Sequence, residues 1–129
     1  LSASNITYFG SISDVNKIKE IVSKTDVLVC PSYSEGMPTV ILEAMASGLA
    51  IIASNVGAVN EQVDSNNGIL IEAGDIEGLK NSIESFIKMP QEQLISLKQH
   101  SVEKIKKGFL WENVILKTIE EIKAKLIHT

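Results

Sequence analysis

Two short stretches of this sequence hold the residue types that could handle a phosphorylated ligand: residues 31–38, PSYSEGMP, and residues 54–58, SNVGA. Each follows an apolar run and precedes a helical pattern, the place where the βα loops of an open parallel sheet meet helix N-termini and bind ligands. In the first stretch, Gly36 lets the backbone approach a ligand with no side chain in the way. Pro38 suits the first helical position because it has no N–H to leave unpaired. The free amides of Met37, Thr39 and Val40 would then point into the cleft, where a helix start carries about +0.5 elementary charge and can seat a phosphate. The loop has neither the Gly-x-Gly-x-x-Gly of dinucleotide binders nor a Walker lysine, so the phosphate signal rests on the helix start.

Glu35 and Glu43 bracket that start. Thr39, Glu43 and Ser47 form a polar stripe at i, i+4, i+8 on a helix whose other positions are nearly all small or apolar, which predicts that Glu43 lies near buried surface. A carboxylate there needs hydrogen-bond donors, and the vicinal hydroxyls of a ribose are two donors in the right geometry. Glu35 precedes the helix and Glu43 lies well inside it, an axial separation of at least about 7–8 Å that leaves room for a diphosphate between the groups each acid holds. Taken alone, two glutamates eight apart more often belong to solvated faces or a capping contact. The surrounding loop tips the reading toward a ligand.

Other reactive side chains offer less. Cys30, the one cysteine, permits no intramolecular disulfide, and at a strand end before Pro31 it reads as core. No Cys/His cluster or Asp-x-Asp suggests a metal. His100 and His128 fall in a helical tail without evident partners, Lys17 and Lys19 on the solvent side of a helix, and Trp111 reads as an anchor for the last helix. The chain has 129 residues, 44% hydrophobic and 22% charged, with a net charge of -4, which fits one soluble domain and argues against non-specific nucleic-acid binding. No apolar run approaches the roughly 20 residues of a membrane span. A cytoplasmic protein is expected, compatible with a parent lying against a membrane surface.

The elements that must position the two loops follow from periodicity. Apolar runs at residues 6–9 (ITYF), 26–30 (DVLVC), 49–54 (LAIIAS) and 68–71 (GILI) read as strands buried on both faces. Between the first two, Val15, Ile18, Ile21 and Val22 mark a helix capped by Asp14, and between the next two a helix over 38–47 stops at Gly48. This alternation is that of right-handed βαβ crossovers and a parallel sheet. Asp75 then caps a helix whose predicted buried face is Ile76, Leu79, Ile83, Phe86 and Ile87, ending at Pro90. Residues 91–129 continue as a helical tail: Leu94, Leu97, Val102 and Ile105 on one helix ending near Gly108, and Trp111, Ile115, Ile119, Ile122 and Leu126 as one stripe on the last. The fold class expected is α/β, a Rossmann-like parallel sheet of about four strands with flanking helices and a C-terminal helical tail, all in one domain over 1–129. Four strands are few for a doubly wound sheet, so strands are expected upstream.

The run PSYSEGMPTVILEAMASGLAIIASNVGAVNEQV, residues 31–63, resembles the donor-site signature of GT-B glycosyltransferases of the large retaining group often called family 4. Its core is Glu-x7-Glu, here Glu35 to Glu43, set within Pro-Ser-x-x-Glu-Gly and Glu-Ala-Met-Ala-x-Gly. The likeness continues through NNGILIEAGDIEGLKNSI and through FLWENV near the tail. It implies that Glu35, the catalytic residue of the set, contacts hydroxyls of the transferred sugar and that Glu43 binds the ribose. Gly36, Met37 and Thr39 would face the sugar and diphosphate, with Gly57 and Glu61 in the second loop. Ala58 stands where the family has a second glycine, and Ala50 where it has proline. The Arg and Lys that neutralise the diphosphate, and the N-terminal domain that binds the acceptor, have no counterpart here.

The resemblance therefore implies glycosyl transfer from a nucleoside-diphosphate sugar with retention at the anomeric carbon. This chain would supply the donor-binding half, without metal or cofactor, and would be inactive alone. The acceptor would be a sugar, lipid-linked or other. Two rivals stand beside this: a sugar-nucleotide epimerase or phosphorylase on the same scaffold, and a non-catalytic nucleotide-binding or interaction domain. The apolar stripe of the last helix is expected to be only partly buried, favouring self-association.

Overall fold

The computed structural model describes residues 5–127. The elements run in the order α1 (Val15–Ser23), β1 (Val27–Cys30), α2 (Thr39–Ala46), β2 (Ala50–Ser54), α3 (Val59–Gln62), β3 (Gly68–Ile71), α4 (Ile76–Lys88), α5 (Gln91–Lys104), a π-helical turn (Ile105–Phe109) and α6 (Trp111–Ile127). The strands form a parallel sheet of order β1-β2-β3, with Val29 opposite Ile52 and Ile52 opposite Ile69. The fold class is α/β, as expected, with three strands in place of about four among the described residues.

β2 is the spine of the molecule. All five of its residues are buried, which explains why the four before Ser54 are apolar. Side chains alternate across a strand. Ile51 and Ala53 accordingly pack with Ile41, Ala44, Met45, Val59 and Val63 on the α2 side, while Ala50 and Ile52 pack with Phe86 on the α4 side, backed by Leu79, Leu94 and Leu97.

The helix ends follow their sequence signals. The Asp14 carboxylate accepts from the Asn16 N–H at 2.9 Å and the Asp75 carboxylate from the Gly78 N–H at 2.8 Å. Gly48, at φ 76°, closes α2: the Leu49 N–H donates to the Ala44 carbonyl and the Gly48 N–H to that of Met45, each at 3.0 Å.

Three expectations are corrected. Residues 6–9 are not a strand, and Ile6, Tyr8 and Phe9 are exposed. A strand exists only against a neighbour. In a doubly wound sheet of order 3-2-1-4-5-6, two other strands lie between strand 4 and the strand that precedes it in sequence, so composition alone cannot pair this segment with β1. On α4, the side chains turned inward are Ser82, Phe86 and partly Leu79, whereas Ile76 and Ile87 are about three-quarters exposed. The apolar arc of α4 is wider than the sheet beneath it, and Ile83 and Ile87 overhang the outer edge of β1, beside Val29. On α6, Trp111, Ile115, Ile119 and Ile122 are all exposed, so Trp111 is not an anchor within the described residues. The Leu126 side chain and His128 lie outside what the structure describes.

Candidate functional site

The loop over residues 31–38 leaves the carboxyl end of β1 and climbs into α2. Glu35 is half-buried, and its Oε1 accepts a hydrogen bond from the Ser32 hydroxyl at 2.7 Å. Gly36 faces open space, since a Cβ there would meet nothing within 4 Å. Pro38 is the N-cap of α2 rather than its first helical residue, with φ -68° and ψ 119°. The difference is one position, and Thr39 opens the helix instead. No side chain caps this end and no acid stands in the first turn, so the first amides keep the unsatisfied donor character of a helix start. Met37 and Thr39 are exposed beside it.

The loop after β2 braces the first one. Gly57 has φ 55°, and a Cβ there would overlap the carbonyl oxygens of Glu35 and Gly36. The Ala58 N–H donates to the Gly36 carbonyl at 2.8 Å. Glycine at position 57 is thus explained by backbone against backbone, without a ligand. Ala58, at φ -97°, sits where alanine is unstrained. Behind these, the fully buried Gln62 donates from Nε2 to the Pro38 carbonyl at 3.1 Å, and Asn67 donates from Nδ2 to the Gln62 carbonyl at 3.1 Å. The start of α2 is therefore held from α3. Sequence reasoning missed Ser32, Gln62 and Asn67. Ser32 carried a signal, a hydroxyl three residues before Glu35, but Gln62 and Asn67 stand in the polar stretch NEQVDSNN, where burial leaves no mark on composition.

Glu43 departs from expectation. It is exposed, on the side of α2 that faces α1, and lines a groove of about 680 Å³ with Val15, Ile18, Leu28 and Ser47. The apolar neighbours that predicted burial point elsewhere: Ile41, Ala44 and Met45 take the sheet-facing side, and at about 100° of rotation per residue Glu43 turns away from it. Glu61 and Met37 line a different cleft, of about 530 Å³, together with Asp64, His100, Lys104 and Lys107. There Lys104 donates to Asp64 at 2.6 Å, and this hydrogen bond holds the Asp64 carboxyl below its ordinary range. The structure thus brings Glu35, Gly36, Gly57 and the start of α2 together and sets Glu43 and Glu61 on opposite flanks.

The other reactive side chains make local contacts. Cys30 is half-buried against the α2-side core. His100 donates from Nδ1 to the Ser96 carbonyl, one turn back at 2.8 Å. Lys17 pairs with Glu20 at 3.3 Å on the surface of α1. Among the described residues no group of three or more His, Cys, Asp or Glu gathers as a metal-ligand set, and no helix is long and apolar enough to cross a membrane.

Residues 2–107 match the family described as Glycosyl transferases group 1. The chain is similar to alpha-maltose-1-phosphate synthase of Mycolicibacterium smegmatis, 34% identical over 115 residues that cover 81% of this chain and 29% of that protein. It is also similar to the UDP-Gal:alpha-D-GlcNAc-diphosphoundecaprenol alpha-1,3-galactosyltransferase of Escherichia coli, 34% identical over 110 residues, 84% of this chain and 27% of the relative. The chain spans under a third of the length of these two relatives. Among solved structures, sucrose-phosphate synthase from Thermosynechococcus elongatus superposes with a TM-score of 0.77 and 28% identity, covering 98% of this chain and 31% of that one. The C-terminal domain of a glycosyl transferase group 1 family protein from Francisella tularensis gives 0.70 and 30%, covering 80% of this chain and 53% of that one.

Proposed function

The chain belongs to the Glycosyl transferases group 1 family, of GT-B fold, and from that premise we propose that it forms the donor-binding half of an enzyme that moves a sugar from a nucleoside diphosphate to an acceptor with retention at the anomeric carbon. The observation that carries this reading is the start of α2: an uncapped helix N-terminus at the carboxyl edge of a parallel sheet, free of acidic residues in its first turn, with Glu35 held beside it. Bond cleavage leaves growing negative charge on the departing diphosphate, and preorganised amides at a helix start stabilise it without reorganising. Glu35 would accept hydrogen bonds from the transferred sugar and Glu43 from the ribose. The reading calls for no metal or cofactor, and it puts the acceptor on another part of the whole enzyme, working in the cytoplasm.

The Escherichia coli relative is named for UDP-Gal, so UDP-galactose is the first donor to try, with UDP-glucose, ADP-glucose and GDP-mannose beside it. Ligand-detected NMR on this chain should find saturable binding of at least one. Glu43→Gln should weaken the nucleotide and the nucleotide sugar alike, by about 1.5–3 kcal/mol for a charge-assisted hydrogen bond. Glu35→Gln should weaken only the sugar-bearing form. Equal losses for both ligands at both positions, or no binding by the wild-type chain, would remove this reading.

A further inference from the structure

We propose that Ser32 is the positioning residue of Glu35: its hydroxyl fixes one carboxylate oxygen and leaves the other to a sugar hydroxyl. The inference rests on the reading of Glu35 as the sugar-facing acid, and it adds how that acid is aimed. Glu35 is held at both ends. Its main chain is pressed by the close approach of Gly57 and tied through the neighbouring Gly36 carbonyl to the Ala58 N–H. Its side chain accepts from the Ser32 hydroxyl at 2.7 Å, and no ion pair reaches it among the described residues. An ionised carboxylate has about four lone-pair sites, so with Oε1 engaged the capacity of Oε2 is open.

Ser32 is itself anchored. The Cys30 sulfur lies 3.6 Å from the Ser32 oxygen. Ser32 has a single hydroxyl proton and gives it to Glu35, so in this contact the thiol is the donor. The chain then runs from the Cys30 S–H to the Ser32 hydroxyl to Glu35 Oε1. It starts on the last residue of β1, which is paired with Ala53 of the buried β2. A carboxylate aimed from a strand through one short hydroxyl has few orientations left, which is what discrimination among sugars of one nucleotide requires.

The test uses this chain, with Ser32→Ala and Ser32→Thr. In the free protein, 13C relaxation of the Glu35 side-chain methylenes should show an ordered group that loosens toward the behaviour of the exposed Glu43 in Ser32→Ala and recovers in Ser32→Thr. By calorimetry, affinity for UDP-galactose should fall about 5- to 10-fold in Ser32→Ala while that for UDP holds, the fold-change of one hydrogen bond. An equally ordered Glu35 in wild type and Ser32→Ala, or parallel loss of both ligands, overturns the proposal. If the wild-type chain binds neither ligand nor any other donor of the panel, the donor reading itself fails, and the relaxation measurement still decides what Ser32 does.

Discussion

Gly36 and Gly57 lie in facing loops, one open and one crowded by backbone, so replacing each by alanine tests whether Gly57 is kept for the fold and Gly36 for the proposed ligand. At Gly57 the φ of 55° is left-handed, which costs alanine about 1–2 kcal/mol. The new Cβ overlaps the Glu35 and Gly36 carbonyls, so the loops must part and the Ala58-to-Gly36 hydrogen bond goes, about 0.5–1.5 kcal/mol more. Gly57→Ala should therefore lose about 1.5–3.5 kcal/mol, and at about 3–5 °C per kcal/mol for a domain of this size the thermal midpoint should drop by about 5–17 °C. Gly36→Ala meets nothing within 4 Å and should stay within about 0.5 kcal/mol of wild type. It should still weaken donor binding, because its methyl group fills the space above the helix start. Urea unfolding followed by circular dichroism, with calorimetric titration of the binding donor, reads both quantities. Gly57→Ala as stable as wild type would refute the account of the two-loop brace, and full donor affinity in Gly36→Ala would refute the placement of the ligand.

Asp64 has its carboxyl held low by the Lys104 hydrogen bond. Its contribution to stability is therefore present above the unfolded pKa near 4 and lost as pH falls through the lower folded value. Lys104→Met should lower the urea midpoint at pH 7 by the equivalent of under about 1 kcal/mol, the pair being solvent-screened, and the two proteins should converge as the pH falls through that lowered folded value; a gap that stays constant through the acid range would show the loss to be one of packing. Self-association should appear in sedimentation velocity as a concentration-dependent shift, since β1 is an edge strand flanked by exposed apolar side chains and α6 exposes its stripe. Ile119→Lys should reduce that shift, and a clean wild-type monomer at high concentration would dismiss the idea.

What the sequence made legible was whatever depends on near neighbours in the chain. Asp14, Asp75 and Gly48 cap and close helices through contacts within five residues, and each does what its type and place imply. β2 was legible because burial on both faces leaves a run with no polar residue before Ser54. What was not legible depends on distant partners. Residues 6–9 have a strand's composition and no strand beside them, and the overhanging side of α4 looks, in sequence, like the docked side. At the site, Glu35 and Gly36 stood out because a loop before a helix is a local feature. The face taken by Glu43 depended on where the sheet lies relative to α2. Gly57 was singled out for the right residue type, but its reason, the backbone of another loop, is visible only in three dimensions.

β2 takes part in both helical layers at once, and this ties the stability of the site to one strand. Breaking either layer uncovers its side chains, so the amides over residues 50–54 should exchange with solvent only through global unfolding, while those of β1, with one neighbour, open more readily. Glu35 hangs from the end of the more labile strand and Gly57 from the end of the more stable one. The Ala58-to-Gly36 hydrogen bond therefore lends the slow opening of the centre to a loop that would otherwise fray with the edge.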